Sequence, residues 1–156
     1  MDSLTLTVNG AARQVECDPA TPLIYILRNE FDLTGSKLGC GLEQCGACAV
    51  LVDGEATLCC SRPAGEFTGK DIVTVEALAG DRTGAAVQRA FVAEGAAQCG
   101  YCTTGLVVAA TALLKRNPSP DRAAIVAALS EHLCRCGSHA RVIAAIHRAA
   151  GETANA

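Results

Sequence analysis

Cys40-Gly41-Leu42-Glu43-Gln44-Cys45-Gly46-Ala47-Cys48 is the stretch that decides the fold. It places three cysteines at C-x4-C-x2-C spacing, and a pair, Cys59-Cys60, follows on the far arm of a short hairpin. Three thiols this close along a chain can all reach inward only if the backbone wraps tightly around a common point. Glycine supplies the freedom for such a wrap, by positive φ and by letting backbones approach closely. Gly39, Gly41 and Gly46 stand in this loop. Neighbouring strand residues point to opposite faces, so only one of Cys59 and Cys60 faces the loop, and spacing alone does not say which.

A three-cysteine wrap with a distant fourth thiol is the plant-type ferredoxin spacing for a [2Fe–2S] cluster. Zinc is the rival metal, but four-cysteine zinc sites usually pair two C-x2-4-C knuckles. A second constellation combines Cys99-Gly100-Tyr101-Cys102 with Cys134-Arg135-Cys136-Gly137. A lone C-x-x-C is shared with redox pairs and zinc knuckles. The added C-x-C shifts the reading, because two thiols one residue apart share a side only where the chain is extended or turning. Each pair stands just before a predicted helix, with Thr103 or Thr104 expected to cap one and Ser138 the other. Helix starts offer free N–H groups and partial positive charge, which favour thiolates and a reduced cluster. His139 reads as a helix-start residue rather than a ligand.

Outward from these motifs, the first half reads as strand and turn. Leu4 to Val8 and Arg13 to Cys17 alternate around an Asn9-Gly10 turn. Thr21-Pro22 opens a helix over Leu23 to Asn29, with Thr21 as N-cap and Pro22 at the first helical position. Ala49 to Val52 and Ala56 to Cys59 form a second hairpin at Asp53-Gly54, and Ile72 to Val75 is a further strand. Beyond Gly80 the chain turns Ala-rich with helical periodicity. Helices are expected over Ala85 to Glu94, Gly105 to Arg116, Arg122 to Glu131 and Ala140 to Ala149, a small bundle. Gly80 to Gly84 reads as a linker between residues 1–79 and 80–156. The fold class is therefore α+β.

Composition narrows the function. Of 156 residues, 50% are hydrophobic, enough for a real core. The net charge of −3, with no basic run, argues against nucleic acid, and an aromatic content of 3% against base-stacking platforms. No apolar stretch is long enough to be a transmembrane segment. Met1-Asp2-Ser3-Leu4-Thr5 has neither a basic n-region nor an apolar h-region. The chain thus reads as cytoplasmic, with export to the periplasm open only as the passenger of a signal-bearing partner. Ten cysteines would suit a secreted disulfide scaffold, but such scaffolds are short and core-poor.

The motifs together resemble the small iron–sulfur subunit of the xanthine dehydrogenase/aldehyde oxidoreductase family of molybdenum hydroxylases. The likeness runs over nearly the whole chain. It includes Leu33-Thr34-Gly35-Ser36-Lys37-Leu38-Gly39-Cys40-Gly41, Val73-Thr74-Val75-Glu76-Ala77-Leu78, Gln98-Cys99-Gly100-Tyr101-Cys102 and Leu133-Cys134-Arg135-Cys136-Gly137. It implies an N-terminal ferredoxin-like (β-grasp) domain over 1–79 and a four-helix-bundle [2Fe–2S] domain over 80–156. In that family the fourth ligand of the first motif stands shortly before a frequent proline. Cys60-Ser61-Arg62-Pro63 fits this, so Cys40, Cys45, Cys48 and Cys60 are the implied ligands of one cluster. Cys99, Cys102, Cys134 and Cys136 are those of the other. Cys17 and Cys59 are left as small buried hydrophobes.

The resemblance further implies that the bundle cluster lies nearer molybdenum, with Gln98 and Cys102 touching the pterin of a large partner subunit. FAD, cytochrome c (haem c) or quinone would accept electrons on a further chain. Thr103-Thr104-Gly105 stands where many members have Thr-Pro-Gly. Cys136-Gly137-Ser138-His139 stands where many have Cys-Thr-Gly-Tyr. The Cys-Arg-Cys-Gly variant looks most like the nicotinate dehydrogenase and isoquinoline oxidoreductase small subunits, which act on N-heteroaromatic rings. No G-x-G-x-x-G dinucleotide fingerprint is present, so the substrate chemistry lies on the partner. Two other readings compete. A free-standing ferredoxin would favour a strongly charged surface, whereas 19% of residues are charged. A zinc-stabilised binding module would be colourless.

Overall fold

The computed structural model describes residues 2–154; Met1, Asn155 and Ala156 lie outside the described residues. Alternation in the first residues builds an antiparallel hairpin of β1 (Asp2–Val8) and β2 (Ala11–Cys17). Leu4 stands opposite Val15 and Val8 opposite Ala11. Asn9 (φ 53°) and Gly10 (φ 76°) make the turn, the left-handed pair that matches strand twist. A second hairpin joins β3 (Val50–Val52) to β4 (Glu55–Thr57) through Asp53 (φ 50°) and Gly54 (φ 88°). Strand β5 (Asp71–Val73) lies between the hairpins, parallel to β1 and antiparallel to β3. The sheet order is β2-β1-β5-β3-β4.

The sheet separates two cores. Leu6, Val8, Val15, Val50, Val52 and Ile72 pack with Leu23, Ile24, Ile26, Leu27 and Phe67. The intervening Leu51 points the other way, among Leu78, Val87, Leu106 and Ile146, because side chains alternate along a strand. Each such fully buried side chain contributes about 1.5–3 kcal/mol. The second core belongs to α2 (Arg82–Ala93), α3 (Thr103–Arg116), α4 (Arg122–Ala128) and α5 (His139–Ala154). Helix α3 is buried continuously from Gly105 to Leu114, as expected of a helix enclosed by its neighbours. Asp81 caps α2 by accepting from Gly84 N–H at 2.8 Å, and Asp121 caps α4 by accepting from Ala124 N–H at 2.7 Å.

Several local expectations are corrected. Thr21 does not cap the first helix, α1 (Leu23–Tyr25): its carbonyl accepts from Ala64 N–H at 2.8 Å, and Pro22, extended at ψ 137°, bridges to Pro63. The following turn, Ile26–Glu30, is π-helical. Gly80 to Gly84, expected as the linker, is largely helical. A 3-10 segment, Val75–Gly80, leads straight into α2, and a Cβ on Gly84 would lie 2.9 Å from that of Leu78. Strand β4 ends at Thr57 rather than Cys59, and α4 at Ala128 rather than Glu131. In both places the chain leaves its regular element to carry cysteines toward the Cys40–Cys48 loop.

Candidate metal centres

The Cys40–Cys48 loop aims backbone N–H groups at its own sulfurs. Leu42 and Gln44 each donate to Cys40 Sγ at 3.3 Å, and Cys40 N–H donates to Cys45 Sγ at 3.4 Å. Glu43 N–H donates to Cys60 Sγ at 3.3 Å and Cys59 N–H to Cys48 Sγ at 3.4 Å. Positive φ at Gly41 (69°), Glu43 (55°) and Gly46 (77°) makes this inward turn. Gly39 serves differently: its φ is ordinary, but a Cβ there would stand 2.7 Å from Cys45 Sγ. Glu43 escaped the sequence reading, since a non-glycine residue in the left-handed region carries no composition signal. Its carboxylate accepts from Ser61 Oγ at 2.7 Å, which ties the loop to the segment holding Cys60.

These contacts set the thiol acidities. The Gln44 N–H, then the Leu42 N–H working against burial, bring Cys40 down to about 7. The neighbouring thiols and N–H groups of Cys59 and Cys60 bring Cys48 down to about 6, again against burial. Burial pushes Cys60 up to about 12 despite the Glu43 N–H. Cys59 is fully buried beside Cys48: its thiol donates to the Cys48 carbonyl at 3.0 Å and also lies against the Cys48 thiol. Cys17 is buried in the sheet core.

The second set gathers at the starts of α3 and α5. Cys102 is the residue before α3 and makes no side-chain cap. Neither threonine caps this helix either: Thr103 Oγ1 and Thr104 Oγ1 are buried without partners among the described residues. Ser138 stands at the start of α5, its carbonyl accepting from the Arg141 and Val142 N–H groups at 3.0 Å. Its N–H donates to Cys134 Sγ at 3.3 Å, and its nearby hydroxyl also favours that thiolate. Burial opposes ionisation of Cys134, but these bonds and the Cys102 thiol bring it down to about 6. Burial pushes Cys102 up to about 12. Cys99, fully exposed, is lowered by the Tyr101 N–H and the Cys136 thiol. Gly137 (φ 78°) makes the turn after Cys136, and His139 opens α5 with Nε2 at 2.9 Å from the His132 carbonyl.

The donor set fits two irons better than one ion. Cys40 neighbours Cys45, Cys48 neighbours both Cys59 and Cys60, Cys99 neighbours Cys136, and Cys102 neighbours Cys134. Two thiolates per iron is the demand of a [2Fe–2S] cluster, whereas zinc draws four ligands into one tetrahedron. The two sets adjoin: Leu133 N–H donates to the Cys45 carbonyl at 3.0 Å, and Tyr101 OH to the Leu38 carbonyl at 2.6 Å. A cavity of about 210 Å³ lies between them, lined by Cys40, Cys45, Cys99, Cys102 and the exposed Tyr101 and Leu133. Gln98 is exposed, and its Nε2 donates to the Cys136 carbonyl at 3.3 Å.

Comparison with known proteins agrees with this arrangement. Residues 6–79 match the 2Fe-2S iron-sulfur cluster binding domain, and residues 74–147 match a [2Fe-2S] binding domain. One chain of the nicotinate dehydrogenase of Pseudomonas putida is 46% identical, over 95% of this chain and 94% of that one. The chain belongs to the small iron–sulfur subunits of the molybdenum hydroxylases. The alpha chain of isoquinoline 1-oxidoreductase from Brevundimonas diminuta is 43% identical, over 94% of this small subunit's length and 97% of its own. The crystal structure of quinoline 2-oxidoreductase from Pseudomonas putida 86 superposes at a TM-score of 0.90 with 35% identity, over 99% of this chain and 96% of that chain. A small subunit of this family carries two [2Fe–2S] clusters and serves an oxidoreductase.

Proposed function

We propose that this subunit relays electrons from a molybdenum–pterin centre on a large partner subunit to an acceptor on another chain, entering at the helical half. A [2Fe–2S] cluster, when bound, takes up and releases one electron at a time. The ligands we assign are Cys40, Cys45, Cys48 and Cys60 for the sheet half, and Cys99, Cys102, Cys134 and Cys136 for the helical half. The observation that carries the relay is the Leu133–Cys45 hydrogen bond of 3.0 Å. It joins the residue beside Cys134 to a member of the other set, so a short bonded path spans the two halves. The protein supplies position and potential: N–H groups aimed at Cys40, Cys45, Cys48, Cys60 and Cys134 stabilise added negative charge.

Gln98 and Cys102 are the residues we assign to the pterin contact. Exposure of Gln98 beside the Cys136 backbone supports this. Residues 1–79 and 80–156 are taken as the two domains, with cytoplasmic residence. Given the relatives named for nicotinate and isoquinoline, the partner's substrate is taken to be an N-heteroaromatic compound or an aldehyde. The acceptor is FAD, cytochrome c or quinone. Purification of the native complex tests the reading. Iron and acid-labile sulfide should co-purify with a molybdenum-containing large chain. A colourless zinc protein without partner chains would overturn it.

A further inference from the structure

His132 lies outside the eight assigned cysteines, yet it sits where the two sets meet. Only 6% of its surface is exposed, and Nδ1 has no hydrogen-bond partner among the described residues. The ring lies hard against Gly46. A Cβ there would collide with His132 Nδ1, and would stand 2.6 Å from His132 Cγ and 2.8 Å from the Glu131 carbonyl oxygen. On its other side Gly46 meets the start of α3, where a Cβ on Gly105 would collide with the Gly46 carbonyl. Gly46 is thus clamped between an imidazole and a helix.

The clamp is itself fixed. His132 N–H donates to the Leu129 carbonyl at 2.9 Å, and the His132 carbonyl is held by His139 Nε2 at 2.9 Å. The residues next to the clamp on either side, Cys45 and Leu133, make the 3.0 Å bond between the halves. We infer that His132 is a positioning residue for electron transfer between the two cysteine sets, its ring wedging Gly46 against α3 and so fixing the Leu133–Cys45 bond. The inference rests on the two-cluster reading above. A residue that merely filled the core would alter stability. A wedge also sets the separation and orientation of the two sets, because close-packed interiors transmit small displacements.

The test uses the reduced native complex. Low-temperature EPR of the wild type should show two [2Fe–2S] signals split by their mutual magnetic interaction; absence of a second signal would overturn the two-cluster reading itself. His132→Ala should keep both signals at full intensity, weaken the splitting, and slow single-turnover delivery to the acceptor roughly tenfold, as groups that lose alignment do. His132→Leu, which refills most of the volume, should recover splitting and rate. Wild-type splitting and rate in His132→Ala, or a His132→Leu that behaves like His132→Ala, overturns the wedge. Should His132→Ala fail to hold both clusters, His132→Val takes its place with the same two readings.

Discussion

Cys60 Sγ accepts from the Glu43 N–H at 3.3 Å, inside the cysteine loop, while the thiol of its neighbour Cys59 donates to the Cys48 carbonyl at 3.0 Å. One residue of offset separates a ligand candidate from a packing residue. Cys60→Ala should therefore abolish one of the two cluster signals, read by visible circular dichroism and EPR. Cys59→Ala should leave both signals and cost about 1 kcal/mol, the worth of one ordinary hydrogen bond. The opposite pattern would exchange their roles. The sequence posed this choice without settling it, since the pair carries identical side chains and only the backbone's exit from β4 separates them. The family likeness favoured Cys60.

At the scale of elements, the junctions carry the tightest packing. Gly105 opens α3 against the Gly46 carbonyl, so Gly105→Ala should destabilise by about 1–3 kcal/mol, as overpacking does. A methyl group added at Gly80 would meet nothing within 4 Å, and Gly80→Ala should stay within about 0.5 kcal/mol. Paired thermal melts check both. Asp81 caps α2 and pairs with Lys115 at 2.7 Å. Burial acts to raise its carboxyl, but the Lys115 ammonium and Gly84 N–H outweigh it and hold it below the ordinary 3.8. A depressed carboxyl contributes fully above its unfolded value and loses that contribution as pH falls through its folded one. Asp81→Ala should cost about 1 kcal/mol at neutral pH, and the gap from wild type should close only below about pH 4 in urea titrations.

For the whole molecule, the sheet and α3 form a scaffold from which irregular segments hang the thiols. Residues 32–49 and 130–138 contain no strand, and no helix. Removing iron with a chelator should therefore raise hydrogen exchange in these segments while β1, β2 and α3 stay protected, because metal binding there supplies ordering that backbone ladders do not. Uniform protection after iron loss would show that the loops hold themselves. Gln98→Ala lies at the proposed entry edge. It should leave both clusters intact and lower turnover or affinity with the molybdenum partner about tenfold, a change of roughly 1.4 kcal/mol. Assays of the reconstituted complex read it directly.

While the choice of Cys60 over Cys59 came from the family likeness, cysteine spacing, strand alternation and helical periodicity were enough to mark two cysteine-bearing halves, a sheet followed by a bundle. These are local properties, written in residues close along the chain. What the tertiary structure decided involves distant partners. Thr21, Thr103, Thr104 and Ser138 all looked like helix caps. Thr21, Thr103 and Thr104 do not serve as caps by their side chains, because Thr21 is drawn to Ala64 and the other two threonine hydroxyls are buried without partners among the described residues. The inward turn at Glu43, the clamp of His132 on Gly46 and the Leu133–Cys45 bond likewise had no sequence signal. Each rests on contacts between segments separated along the chain, and such contacts exist only once the chain has folded.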